Sequence, residues 1–285
     1  MSTIGKPSFC VPALACDSHV HILGDPSVHP YAEGDKRFAP EVVLPEDYRK
    51  VQKIMGTERT VLVQTSIYGN DNSCQLDAAV DLGLETTRVV IDIDADNFTD
   101  KQMQDMHDRS VRGIRVNILS TQSILYGLKE KVLPVLHKLE YLIKDTGWFI
   151  DIIFPEWLIS ELYNDLAKLR VNYCFAHYGM NKACNGIQSK SFQALLSLMK
   201  GGYCWVKLSG ANRISVDPTY ADVVELGQAI YDAAPDRVVW GSDFPHVNSS
   251  NADTIGLFNI LCKIVPDESD ICRIVRNNPA VLFDF

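Results

Sequence analysis

The chain has 285 residues, 46% hydrophobic and 22% charged, which is enough apolar material for a large buried core. Its formal charge of -9 comes without any Lys/Arg-rich run, so nucleic acid is an unsuitable partner and an anionic substrate has to be captured by individual arginines. No apolar run approaches the roughly 20 residues of a membrane span.

The eight cysteines are scattered, with no CxxC pair, and read as small reduced residues of a cytoplasmic protein. Residues 8–16 lack the basic and continuous apolar regions of an export signal. The reading is one domain over residues 1–285, with roughly the first 12 residues as an arm. Oligomeric state is left open.

Eight short β-rich runs follow in order: 14–22, 59–66, 87–93, 111–118, 148–154, 172–179, 203–209 and 237–244. Helical patterns lie between them. Leu158, Leu162, Leu166 and Leu169 form one apolar stripe. Thr219 as N-cap with Asp222 three residues on opens another helix, whose buried face is Val223, Leu226 and Ile230. Strands alternating with helices predict parallel βα units, and eight of them favour an α/β fold, a single-domain (β/α)8 TIM barrel. An open doubly wound sheet is the alternative, but no GxGxxG fingerprint follows the first run. The stretch 24–45 is long for a βα connection and is expected to fold over the barrel mouth.

Barrel enzymes gather reactive groups at the carboxyl ends of their strands. On the first run, alternation puts His19 and His21 on one face, where two imidazoles can hold a metal or polarise a carbonyl. Later runs offer Gln64 and Ser66 followed by Tyr68, then Arg115 with Asn117, then His177, then Lys207, Ser209 and Arg213, and finally Asp243 and His246. Each has a plainer reading. Gln64 and Ser66 can satisfy neighbouring backbone, and Asp71 and Asn72 can make turn hydrogen bonds. Arg115 and Arg213 can form structural ion pairs. Lys207 is expected to point outward between strand and helix. His29, His107 and His137 read as surface residues, and His246 as a support behind the site. His177 and Asp243 are harder to dismiss, because closure of a barrel brings the last strand beside the first.

His-Val-His at 19–21 and Gly-Ser-Asp-Phe-Pro-His at 241–246 resemble the amidohydrolase superfamily. The stretches 64–72, 112–117 and 205–215 resemble its branch of 2-pyrone-4,6-dicarboxylate lactonases, sugar-acid lactonases and galactarolactone isomerases. The resemblance runs from about residue 17 to residue 279. It implies a hydrolase that opens a small, carboxylate-bearing lactone. Asp243 would take a proton from water, and His177, His19 and His21 would surround the carbonyl, with His177 first in line to polarise it. Arg115 and Arg213 would bind a substrate carboxylate, and Tyr31, Gln64, Ser66 and Tyr68 would orient the ring.

Two departures from the family pattern matter. Two-metal members carry a lysine or glutamate on strand four and a histidine on strand five, whereas this chain has Arg115, Asn117 and Asp151 there. The expectation is therefore no metal. If a single zinc is bound, its ligands would be His19, His21 and Asp243. The arginine that follows the strand-six histidine in pyrone dicarboxylate lactonases is also absent from His177-Tyr178-Gly179-Met180. The alternatives are a lactone isomerase on the same scaffold, a zinc-dependent decarboxylase or C–C hydrolase of the superfamily, and a binding protein without turnover.

Overall fold

The computed structural model describes residues 5–32, 40–119, 128–247, 249 and 252–285. Eight parallel strands pair in sequence order. They are β1 (Cys16–Val20), β2 (Arg59–Val63), β3 (Thr87–Ile91), β4 (Val111–Asn117), β5 (Phe149–Ile153), β6 (Tyr173–Phe175), β7 (Cys204–Leu208) and β8 (Val238–Trp240). Each lies inside the run that the sequence marks as a strand, and helices connect them, so the architecture is the expected (β/α)8 barrel.

The barrel closes where the chain leaves β1 and β8. Val20 and Phe244 form a parallel bridge. His21 N–H donates to the Phe244 carbonyl at 2.8 Å, and Asp243 N–H donates to the His19 carbonyl at 2.8 Å. Asp17 strengthens the seam: its buried Oδ1 accepts from Ser242 N–H at 2.8 Å. Burial raises the Asp17 carboxyl to about 6, with the Ser242 hydrogen bonds opposing it.

Side chains alternate across each strand and build two cores. The outer core lies between strands and helices. In the helix Leu128–Ile143, for example, Val132, Leu136, Leu139 and Ile143 recur at helical spacing and are all buried. The inner core includes Val61, Val90, Phe149, Cys174, Trp205 and Val239, with Leu282 at the end of the C-terminal helix Asn278–Leu282 and the following Phe283 packed against them. A Cβ on Gly113 would sit 2.6 Å from the Phe149 ring, so this glycine makes room for the aromatic floor.

Two local expectations change. The leucine stripe is buried throughout, but it is not one helix: Leu158 lies in the short helix Glu156–Glu161 and Leu166 in Tyr163–Leu166, with Leu162 between them and Leu169 beyond. Thr219 does not cap a helix; it donates to Asp217 at 2.8 Å, while Asp222 accepts from Ser215 Oγ and Val216 N–H. The helix there begins later, at Val224. Of the long stretch 24–45, residues 33–39 lie outside the described set. Its described flanks are tied down by a Leu23–Val43 bridge and by Ala32 N–H on the Ile67 carbonyl at 2.8 Å. Near the N-terminus, Ser8 N–H donates to Asn259 at 2.7 Å.

The seam also depends on Gly241, where a Cβ would lie 2.6 Å from His19 Cβ and 2.7 Å from the His19 backbone nitrogen. Gly241→Ala is expected to cost about 1–3 kcal/mol through overpacking, read as a lowered midpoint in denaturant unfolding. An unchanged midpoint would mean that the seam can yield without loss.

Candidate active site

Asp243 follows β8 with φ 63°, in the left-handed region that aspartate tolerates better than most residues. Its carboxylate is completely buried and its two oxygens have different surroundings. Oδ2 accepts from Arg213 Nε at 2.6 Å. Oδ1 has no hydrogen-bond partner, yet Nε2 of His21, His177 and His19 lies 3.6, 3.8 and 3.9 Å from it. The three imidazoles expected from the sequence and the expected carboxylate therefore meet at one point.

Backbone geometry aims these rings. His177 follows β6 with φ 55°, and its Nδ1 lies 2.9 Å from Ser209 Oγ at the end of β7. Gly210, with φ 60°, passes so close that a Cβ there would be 2.6 Å from His177 Nδ1. His21 Nδ1 is fixed by the Val63 carbonyl at 2.6 Å. The His19 and His21 rings meet edge to face at 4.9 Å.

Burial alone would raise the Asp243 carboxyl, but the nearby His177 and His21 imidazoles and the Arg213 guanidinium hold it far below the usual carboxylate range. Burial pushes the imidazoles the other way. His177 falls to about 3, and His21 and His19 also fall below their ordinary value. At neutral pH the cluster is thus one carboxylate among three neutral imidazoles.

Arg115 is buried on β4, opposite Asp151 on β5. It donates through Nη1 to the Gln64 carbonyl at 2.5 Å, while its Nε has no hydrogen-bond partner. Arg213 is committed to Asp243 through Nε, so only its Nη groups are left for a ligand. Gln64 donates to the Gly69 and Asp71 carbonyls at 2.9 and 2.8 Å, which is the backbone-satisfying role. Asn72 Nδ2 donates to the Asp92 carbonyl at 2.8 Å, and Asp71 accepts from Ser73 N–H at 3.0 Å. The Tyr68 hydroxyl accepts from Gly24 N–H at 2.9 Å and packs 5.9 Å from the Tyr31 ring. Ser66 opens the short turn Ser66–Tyr68 between them. His246 is buried behind Asp243 and pairs through Nε2 with Thr254 at 2.7 Å. His137 is exposed, but His29 and His107 are half-buried, and His107 accepts from Trp148 Nε1 at 3.1 Å.

Lys207 corrects the expectation of an outward side chain. It points into the barrel, is 0% exposed, and sits 2.5 Å from Asp151 Oδ2. Its place follows from alternation, since Trp205 on the same strand has the same parity and belongs to the inner core. Asp92, just beyond β3, is a further acidic group near Arg115 that its sequence position does not single out. Burial raises its carboxyl to about 6, against the pull of Arg115.

The cluster also fits a single cation by distance. The ligand atoms of His19, His177 and Asp243 lie within 4.8 Å of one another, and His19 Nε2 and Asp243 Oδ1 are buried with no hydrogen-bond partner. Among the described residues this is the group of histidine, cysteine and acidic side chains close enough to do so, and His177 stands in it where the sequence reading had His21.

A family model described as amidohydrolase matches residues 16–285. The chain belongs to the amidohydrolase family. Similar to it is a 4-sulfomuconolactone hydrolase of Hydrogenophaga intermedia, 31% identical over 96% of this chain and 90% of the relative. A 2-pyrone-4,6-dicarboxylate hydrolase of Comamonas testosteroni is 27% identical over 98% of this chain and 92% of its own. A D-galactarolactone isomerase of Agrobacterium fabrum is 27% identical over 99% and 94%. The relatives are thus lactone hydrolases and a lactone isomerase.

The electrostatics predict the pH response. Acid inactivates a base cluster only when its members take up protons, and here burial and charge have moved those protonations downward, His177 to about 3. For any lactone that is turned over, kcat is expected to stay level from about pH 8 to about pH 5. A fall centred near the ordinary histidine value, about 6.5, would show that one of these imidazoles keeps its solution affinity for protons.

Proposed function

We propose that this amidohydrolase opens a small lactone bearing a carboxylate, by attack of water on the ring carbonyl. The observation that carries the reading is Asp243, with one oxygen anchored on Arg213 and the other facing three imidazoles. The steps balance without a co-reactant. Asp243 Oδ1 takes a proton from water as the water oxygen bonds to the carbonyl carbon. His177 polarises the carbonyl oxygen as negative charge builds on it. Collapse then breaks the carbon–oxygen bond of the ring, and the proton held by Asp243 passes to the departing ring oxygen. The product is an open-chain hydroxy acid or its tautomer.

A carboxylate anchored on the Arg213 guanidinium is a weak base in the resting site. Water becomes far more acidic once its oxygen is bonding to carbon, so proton transfer late in that step suits it. The same property makes protonated Asp243 a strong acid for the leaving oxygen. Arg115, with the Nη groups of Arg213, would grip the substrate carboxylate. Tyr31 and Ser66 would border the ring, while Gln64 and Tyr68 act through the backbone they hold. A divalent cation held by His19, His177 and Asp243 would supply a Lewis acid for the carbonyl oxygen. None of the residue steps above requires it. The isomerase relative supports a second reading on the same residues, in which a substrate hydroxyl replaces water.

Asp243→Asn is expected to lower kcat by about 10³-fold or more with substrate affinity near normal. Turnover at the wild-type rate would remove Asp243 as the base. Arg115→Met should chiefly raise KM for a carboxylated lactone while sparing its uncharged analogue. Product analysis by NMR separates the two readings, because hydrolysis releases one acid group per ring opened and isomerisation releases none. Activity is expected to survive exhaustive chelation; loss that added zinc restores would favour the cation-assisted form.

A further inference from the structure

Beneath the cluster lies an ion pair that the proposed reaction does not use. Lys207 and Asp151 are both 0% exposed, 56 residues apart in sequence, and pair across the barrel interior at 2.5 Å. Burying two charges is costly, and well-packed apolar residues in their place are often neutral or stabilising. The second contact of Lys207 suggests what the pair is for. Its Nζ lies 3.4 Å from Nδ1 of His19.

An ammonium can only donate. A neutral imidazole has one hydrogen, and if Nδ1 accepts, that hydrogen must be on Nε2. In His19, Nε2 is the atom that faces Asp243 Oδ1, at 3.9 Å. His21 is set the opposite way. Its Nδ1 lies 2.6 Å from the Val63 carbonyl, which can only accept, so Nδ1 carries the hydrogen and Nε2 is bare. Two rings in edge-to-face contact thus present unlike atoms to the same carboxylate.

We propose that Lys207, braced by Asp151, is a positioning residue that fixes His19 as an Nε2–H donor, supplying a hydrogen bond to the developing oxyanion and opposing ligation of a cation through that nitrogen. A cation on Nε2 would force the His19 hydrogen onto Nδ1, directly against the ammonium. The pair therefore biases a donor set that fits one cation by distance toward proton chemistry. The assignment does not depend on which lactone is opened.

The test reads the tautomer itself. In the full chain labelled with ¹⁵N-histidine, two-bond ¹H–¹⁵N correlations are expected to show His19 Nδ1 as a bare nitrogen and Nε2 as protonated, with the signal assigned by its loss in His19→Gln. A hydrogen on Nδ1 in the wild type would overturn the proposal, with no need for any variant of Lys207 to fold. Lys207→Met combined with Asp151→Asn removes both charges together, so net charge in the barrel is unchanged. That variant should lose the fixed Nε2–H signature and bind zinc about tenfold more tightly by calorimetry. Lys207→Arg, which keeps a cationic donor, should keep the wild-type spectrum. An unaltered tautomer and zinc affinity in the double variant would also sink the idea. Failure of Asp243→Asn to lower kcat would instead count against the reaction, leaving the tautomer assignment standing.

Discussion

Everything at this site depends on the seam between the first and last strands. Three interactions close it: His21 N–H on the Phe244 carbonyl, Asp243 N–H on the His19 carbonyl, and Asp17 on Ser242 N–H. They bring together residues more than two hundred positions apart. Two of the three are backbone hydrogen bonds in a buried setting, so the seam holds the Asp243 backbone in fixed register with His19 and His21. Gly241 has no side chain because the seam leaves no space for one.

Given that seam, the electrostatics follow from burial. A carboxylate with no access to water has to be compensated, and Arg213 does so on one oxygen only. The other oxygen is left with imidazoles that burial keeps neutral. Such an oxygen is suited to water or to a cation, and the side chains behind the rings influence which. Val63, Ser209 and Lys207 each contact the Nδ1 atom of a different ring and so bear on what its Nε2 presents. Asp151 joins the two halves of the interior, lying opposite Arg115 in register and paired with Lys207.

Much of this was legible in the chain itself, because barrel strands announce themselves as apolar runs and their last residues are the reactive ones. His19, His21, His177 and Asp243 all stand at or just beyond strand ends, so alternation and strand order suffice to suggest their meeting. Lys207 shows where that reasoning stopped. Its parity with Trp205 pointed inward, but a buried lysine needs a partner, and nothing local indicates Asp151. Arg213 shows a second limit: an arginine in the short helix Ala211–Ile214 can reach out to a ligand or back to Asp243, and only the fold chooses. Gln64 and Tyr68 are candidates for touching substrate, and packing ties the Gln64 amide nitrogen and the Tyr68 hydroxyl to nearby backbone while Gln64 Oε1 is left without a hydrogen-bond partner.

The barrel, the order of its strands and the identity of the clustered histidines and aspartate are readable from the chain alone, because periodicity and strand-end position are local properties. How Asp243 divides its oxygens, where Lys207 points and which nitrogen of each ring faces that carboxylate are settled by the fold. Those depend on hydrogen-bond partners tens to hundreds of residues away, and on which donors and acceptors burial leaves for them.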